Sequence, residues 1–136
     1  VRPFVVIPRE QVSELLEILE LYYGQNIDTY DLDGWLEYYQ IAQDEFERNL
    51  NAYIERFDHF LKETNDPYYI FSDAEDVEYL CGLLEIIGDA INEFCESDPN
   101  MGYYSHRITH LVYELDYTLY KALHENETVN GSEEIL

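Results

Sequence analysis

The stretch Leu32 to Lys62, LDGWLEYYQIAQDEFERNLNAYIERFDHFLK, decides the fold. Its apolar positions Tyr39, Ala42, Phe46, Leu50, Tyr53, Phe57 and Phe60 alternate three and four residues apart. That is the spacing of a helix that buries one seam in a bundle. It predicts one long helix, about 45 Å from end to end at the α-helical rise. Asn65-Asp66-Pro67 closes it, because proline cannot continue a helix and restricts the residue before it.

On the N-terminal side, Gln25 to Gly34 is rich in Asn, Asp and Gly and reads as a loop. Before it, Val12, Leu15, Leu16, Ile18, Leu19 and Tyr22 follow helical spacing, with Pro8 suited to the first turn and Gly24 to the stop. Phe4-Val5-Val6-Ile7 is a short β-like run, and Tyr68 to Phe71 is a second one. On the C-terminal side, Ser72-Asp73-Ala74-Glu75 fits a capping box opened by Ser72. The helix it starts runs to about Glu96, before Asp98-Pro99. A last helix extends from about Tyr103 to His124 on the stripe Ile108, Leu111, Val112, Leu115, Leu119 and Leu123. The expected fold is all-α: a single-domain antiparallel bundle of about four helices, one of them long, over residues 1–124. Residues 4–7 pair with 68–71 in a minor two-stranded sheet, and the polar tail 125–136 frays.

Charge is the second signal. The chain carries 30 Asp+Glu against 7 Lys+Arg, a formal charge of −23 on 136 residues. With 46% hydrophobic and 15% aromatic residues it is a folded chain with a charged shell and not a disordered one. Between Lys62 and Arg107 there is no Lys or Arg. On the helix after Ser72, Glu75, Glu78, Glu85, Asp89, Glu93 and Glu96 fall within an arc of about 80°. Val77, Leu80, Cys81, Leu84, Ile87, Ile91 and Phe94 centre on the opposite side, so the carboxylates face solvent. Charge runs usually make a solvated face only. Here no cation relieves the stripe, and its like charges at i,i+4 each cost about 0.2–0.5 kcal/mol. Such repulsion points to a strongly positive partner and argues against direct contact with nucleic acid or anionic lipid. Asp28, Asp31 and Asp33 form a second acidic patch. Four Tyr-Tyr pairs add interface-prone rings, of which Tyr38 and Tyr104 read as surface anchors and Tyr39 as core, along with Tyr53.

Catalytic and metal patterns fail. Thr29 to Gln40 places Asp31, Asp33 and Gly34 as a calcium loop would, but Thr29 and Gln40 stand where carboxylates are needed. His106 and His110, one turn apart and followed by Glu114, lack the Glu of the zinc-protease motif and read as a buffered surface face. There is no Gly-rich phosphate loop and no flanked nucleophile. Cys81 and Cys95 lie 14 residues apart on one helix, about 21 Å, beyond disulfide reach, and read as buried thiols. No leader pattern and no apolar run of about 18 residues occurs, so the expected location is the cytoplasm. Neither an enzyme nor a cofactor is expected.

In size and charge the chain resembles phage-encoded DNA mimics, such as anti-restriction and anti-CRISPR proteins. The likeness is one of character, with no shared motif. It implies an inhibitor whose carboxylates occupy the phosphate sites of a basic nucleic-acid-binding protein, such as a nuclease. Two other readings stand beside it: an immunity protein or antitoxin directed at one nuclease toxin, and a structural or adaptor bundle that dimerises through its long helix.

Overall fold

A computed structural model of the chain describes residues 5–24, 32–95 and 101–135, with backbone alone for 22–24, 32, 33, 93–95, 101 and 125–135. The order is β1 (Val5–Pro8), α1 (Arg9–Gly24), α2 (Leu32–Tyr38), α3 (Gln43–Glu63), β2 (Tyr68–Phe71), α4 (Ala74–Cys95) and α5 (Met101–Ile135). The mostly helical architecture and the small sheet are as expected. The strands pair antiparallel, with Val5 opposite Phe71 and Ile7 opposite Tyr69. Phe4 lies outside the described residues.

The alternation of the strands explains their placement. Val5, Ile7 and Phe71 point inward and are fully buried, while Val6, Tyr68 and Ile70 point outward and are exposed. A lone strand pair is marginal in water. This one rests on α3 through aromatic rings: Phe57 meets Tyr69 at 5.3 Å and Phe71 at 6.4 Å, and Phe60 meets Tyr69 at 5.2 Å, all edge to face. Arg9 ties the sheet end to the same helix. Its backbone N–H donates to the Pro67 carbonyl, and its guanidinium donates to the last-turn carbonyl of Leu61 at 2.6 Å.

The seam of α3 is borne out: Phe46, Leu50, Tyr53, Phe57 and Phe60 are all buried. The single long helix over 32–62 is not. It divides into α2 and α3 at Tyr39-Gln40-Ile41-Ala42, and Ala42 is exposed. The Ile41 N–H donates to the Leu36 carbonyl and the Gln40 N–H to the Glu37 carbonyl, which is a Schellman motif with Gln40 in the left-handed region at φ 59°. Leu36 is buried and Ile41 half-buried, so the apolar clasp of that motif is present. A left-handed non-glycine residue costs about 1–2 kcal/mol. Gln40→Gly is therefore expected to raise the unfolding free energy by about 0.5–1 kcal/mol in urea titration, since glycine's added unfolded-state freedom offsets part of the relief.

The other boundaries shift less. α4 starts at Ala74, and the Glu75 N–H donates to Asp73 Oδ1 at 3.0 Å, so the cap is Asp73 and not Ser72. The longest helix is α5, which continues past His124 to Ile135 through the polar segment predicted to fray. One continuous core joins every element, with α4 packed most extensively on α5 and α1 on α3. The short α2 lies on α4. Gly88 of α4 lets α5 approach closely: a Cβ there would lie 3.1 Å from Ile108 Cγ2. No helix among the described residues is long and apolar enough to cross a membrane.

Candidate partner-binding face

The acidic face is carried by α4, whose apolar side fills the groove against α5. Val77, Leu80, Leu84, Ile87 and Ile91 are fully buried, and Cys81 with them. That burial fixes the rotation of the helix and turns Glu75, Glu78 and Glu85 outward, where all three are exposed. Asp89, one turn beyond Glu85, is half-buried. From Glu75 to Asp89 the face runs about 21 Å along the axis. Glu93 lies on α4 with its side chain undescribed, and Glu96, Asp28 and Asp31 fall outside the described residues. Asp33 lies on α2, again without a described side chain.

The helix break brings α2 onto this face. Tyr39 is half-buried and its hydroxyl donates to Asp89 Oδ2 at 2.7 Å. That hydrogen bond, aided by burial, pushes the Tyr39 phenol up to about 12. Tyr38 beside it is 73% exposed and edges onto Trp35 and Tyr39. Tyr104 is half-buried against the core, and its neighbour Tyr103 is the exposed ring of that pair.

α5 extends the face with residues the sequence reading passed over. Partial burial raises the Glu85 carboxyl above the usual range, and Asp116 and Asp89 add to it. Asp116 also raises the buried Cys81 thiol, which burial above all pushes up to about 12. Asp116 therefore belongs to the same negative field. Tyr113 and Tyr120, three and four residues away on the same helix face, are 70% and 58% exposed. Helical spacing alone puts Tyr113, Asp116 and Tyr120 on one face of α5, but only the docking of α5 on α4 brings Asp116 to Glu85.

Four of the described cations are directed elsewhere. Arg56 pairs with Asp76 at 2.8 Å, Arg107 with Glu17 at 2.9 Å and Lys62 with Asp58 at 3.0 Å. Lys121 sits over the Tyr117 ring. Asp76, the α4 carboxylate that does hold a cation, lies about 160° around the helix from Glu78. Burial pushes its carboxyl up, but hydrogen bonds from Arg56 and Tyr53 outweigh that and hold it below the usual range. Among the described residues no Lys or Arg pairs with Glu75, Glu78, Glu85 or Asp89. His110 Nε2 lies 2.9 Å from Glu114 Oε1, and the other oxygen of Glu114 accepts from the buried Gln11 side chain at 2.9 Å. Glu114 thus ties α5 to α1, and no cluster of three or more metal-ligating side chains exists among the described residues.

Glu85 gives a prediction with a definite sign. Its folded pKa is raised, so the fold favours the protonated form. This contribution to stability is full in acid and is lost as pH rises through the folded pKa. Glu85→Gln should raise the melting temperature at pH 7, by an effect of a few tenths of a kcal/mol as for like charges one turn apart. The gain should shrink toward pH 4 in scanning calorimetry.

No family model matches the chain, and neither does any curated protein or solved structure.

Proposed function

We propose that this protein is a non-enzymatic inhibitor that binds a basic nucleic-acid-binding protein, with a nuclease as the leading class, by presenting carboxylates where phosphates belong. The observation that carries the reading is the stripe Glu75, Glu78, Glu85 and Asp89, which among the described residues pairs with no Lys or Arg while Arg56 and Arg107 serve other carboxylates. Carboxylates one turn apart rise about 6 Å, close to the spacing of neighbouring phosphates on one strand. A groove lined with Lys and Arg gains from such a surface the steering and ion release that drive nucleic-acid binding. The setting is the cytoplasm of a bacterial host, where such targets act.

Exposed rings beside the stripe favour a second reading, a dedicated immunity protein for one nuclease toxin. Tyr38, Tyr113 and Tyr120 have the character of hot-spot anchors. The two readings separate on Tyr38→Ala and on salt. Mimicry predicts an affinity that falls steeply with salt and changes less than about threefold in Tyr38→Ala. A dedicated interface predicts a loss of about thirtyfold or more with weak salt dependence. Calorimetric titration at two salt concentrations against the captured target reads both.

A further inference from the structure

Beside the stripe, α4, α5 and Tyr39, the residue that follows α2, line an open cleft of about 240 Å³. Its lining includes the polar residues Glu85, Asp89 and Tyr39 together with Gly88, Ile108 and Val112. Asn92, hydrogen-bonded to Ser105, also lines it. We propose that this cleft receives one arginine side chain of the basic partner. The proposal rests on the reading that the α4 face meets such a partner, and it names the contact.

The chain's own arginines show how the socket works. The Tyr53 hydroxyl donates to Asp76 Oδ1 at 2.5 Å, and the Arg56 guanidinium lies 5.0 Å from the Tyr53 ring centre while it donates to both oxygens of Asp76. Arg107 repeats the theme: it forks onto Glu17 at 2.9 and 3.0 Å and lies 5.4 Å from the Tyr103 ring centre. Tyr39 and Asp89 reproduce the Tyr53–Asp76 pair, with the hydroxyl again donating to the carboxylate. Among the described residues no Lys or Arg lines this second socket. The Tyr39 bond leaves acceptor capacity on Asp89, and Glu85 one turn away adds a second carboxylate.

The chemistry selects among cations. A guanidinium is planar and forked, is weakly hydrated and stacks on rings, so it suits two carboxylates and a tyrosine. Its methylene stem suits the apolar part of the lining, Gly88, Ile108 and Val112. A lysine ammonium is a hydrated point charge that uses neither the fork nor the ring as well. A divalent metal needs several converging ligands, and the described side chains offer no such cluster. A cation seated there would also offset the charges of Asp116 and Asp89, which add to the effect of partial burial on Glu85.

The test is an NMR titration of the full chain with N-acetyl-arginine methylamide, with the citrulline counterpart as the uncharged isostere. The expected result is a saturable shift centred on Gly88, Asn92, Thr109 and Val112, with a dissociation constant in the millimolar range and little response to citrulline. Glu85→Gln and Asp89→Asn should each weaken binding about tenfold, while Glu55→Gln on the exposed face of α3 leaves it unchanged. Retained spectral dispersion shows that each variant folds. Shifts that do not saturate, that spread evenly over the acidic surface or that citrulline matches would overturn the socket. The outcome is separable from that of the mimicry reading: an arginine cleft that fills while charge reversal leaves partner binding intact keeps the socket and removes mimicry. An empty cleft on a chain that nucleic acid displaces from its target removes the socket alone.

Discussion

Phe57→Ala is expected to cost about 3–5 kcal/mol of unfolding free energy, the range for removing a fully buried phenylalanine. Phe57 is 0% exposed and its ring meets Tyr53, Tyr69 and Phe71. Among the described ring contacts it is the α3 ring that meets both Tyr69 and Phe71, and so joins the helix seam to the inner side of the sheet. Its loss removes apolar burial, leaves a cavity and unseats a strand pair that does not persist alone. Small domains hold only about 5–15 kcal/mol in total. Self-repulsion at a formal charge of −23 draws that margin down further. Urea titration of wild type and variant measures the difference, and added salt should raise both midpoints by screening the repulsion. A loss below about 1 kcal/mol would show that the ring cluster does not hold sheet to helix.

Glu85→Lys with Asp89→Lys carries the largest expected effect on binding. Reversing two adjacent carboxylates at the centre of the stripe replaces two attractions by two repulsions against a basic groove. Truncating one charge of a desolvated pair already costs about 2–5 kcal/mol at an interface, so a fall of about a hundredfold or more is expected, with a shallower salt dependence. Glu55→Lys with Glu63→Lys makes the same change in net charge on exposed positions of α3 and should cost far less. Equal losses from both pairs would mean that bulk charge, not the α4 face, does the steering. Asp89→Lys also breaks the Tyr39 hydrogen bond. Tyr39→Phe isolates that contribution, because it removes the bond and keeps the charge.

Periodicity made the α3 seam and the rotation of α4 legible, because burial acts on whole faces. The strand pairing was legible for the same reason: Val5 and Ile7 alternate, as do Tyr69 and Phe71, and each pair needs an inner face. The break between α2 and α3 was not. No glycine or proline marks it, and Gln40 accepts a left-handed backbone only because Leu36 seats in the core and Tyr39 reaches Asp89. Those contacts are non-local. The cap moved by one residue because Ser72 and Asp73 are both competent acceptors, and local sequence does not choose between them. For the face itself, the wheel of α4 showed the stripe, but Asp116 joins it only through the docking of α5. Tyr103 and Tyr104 show the same limit: helical spacing says that one ring goes in, and the register of α5 on the core decides which.

The central claim is that the α4 face occupies the nucleic-acid site of a basic protein. Affinity capture from a bacterial lysate, followed by elution with duplex DNA against an equal concentration of simple salt, tests it most directly. The account predicts a basic nucleic-acid-binding protein that DNA releases at ionic strengths where salt alone does not, and whose DNA binding the wild-type chain abolishes and the Glu85→Lys/Asp89→Lys variant does not. A partner that binds DNA and this chain at the same time would contradict it.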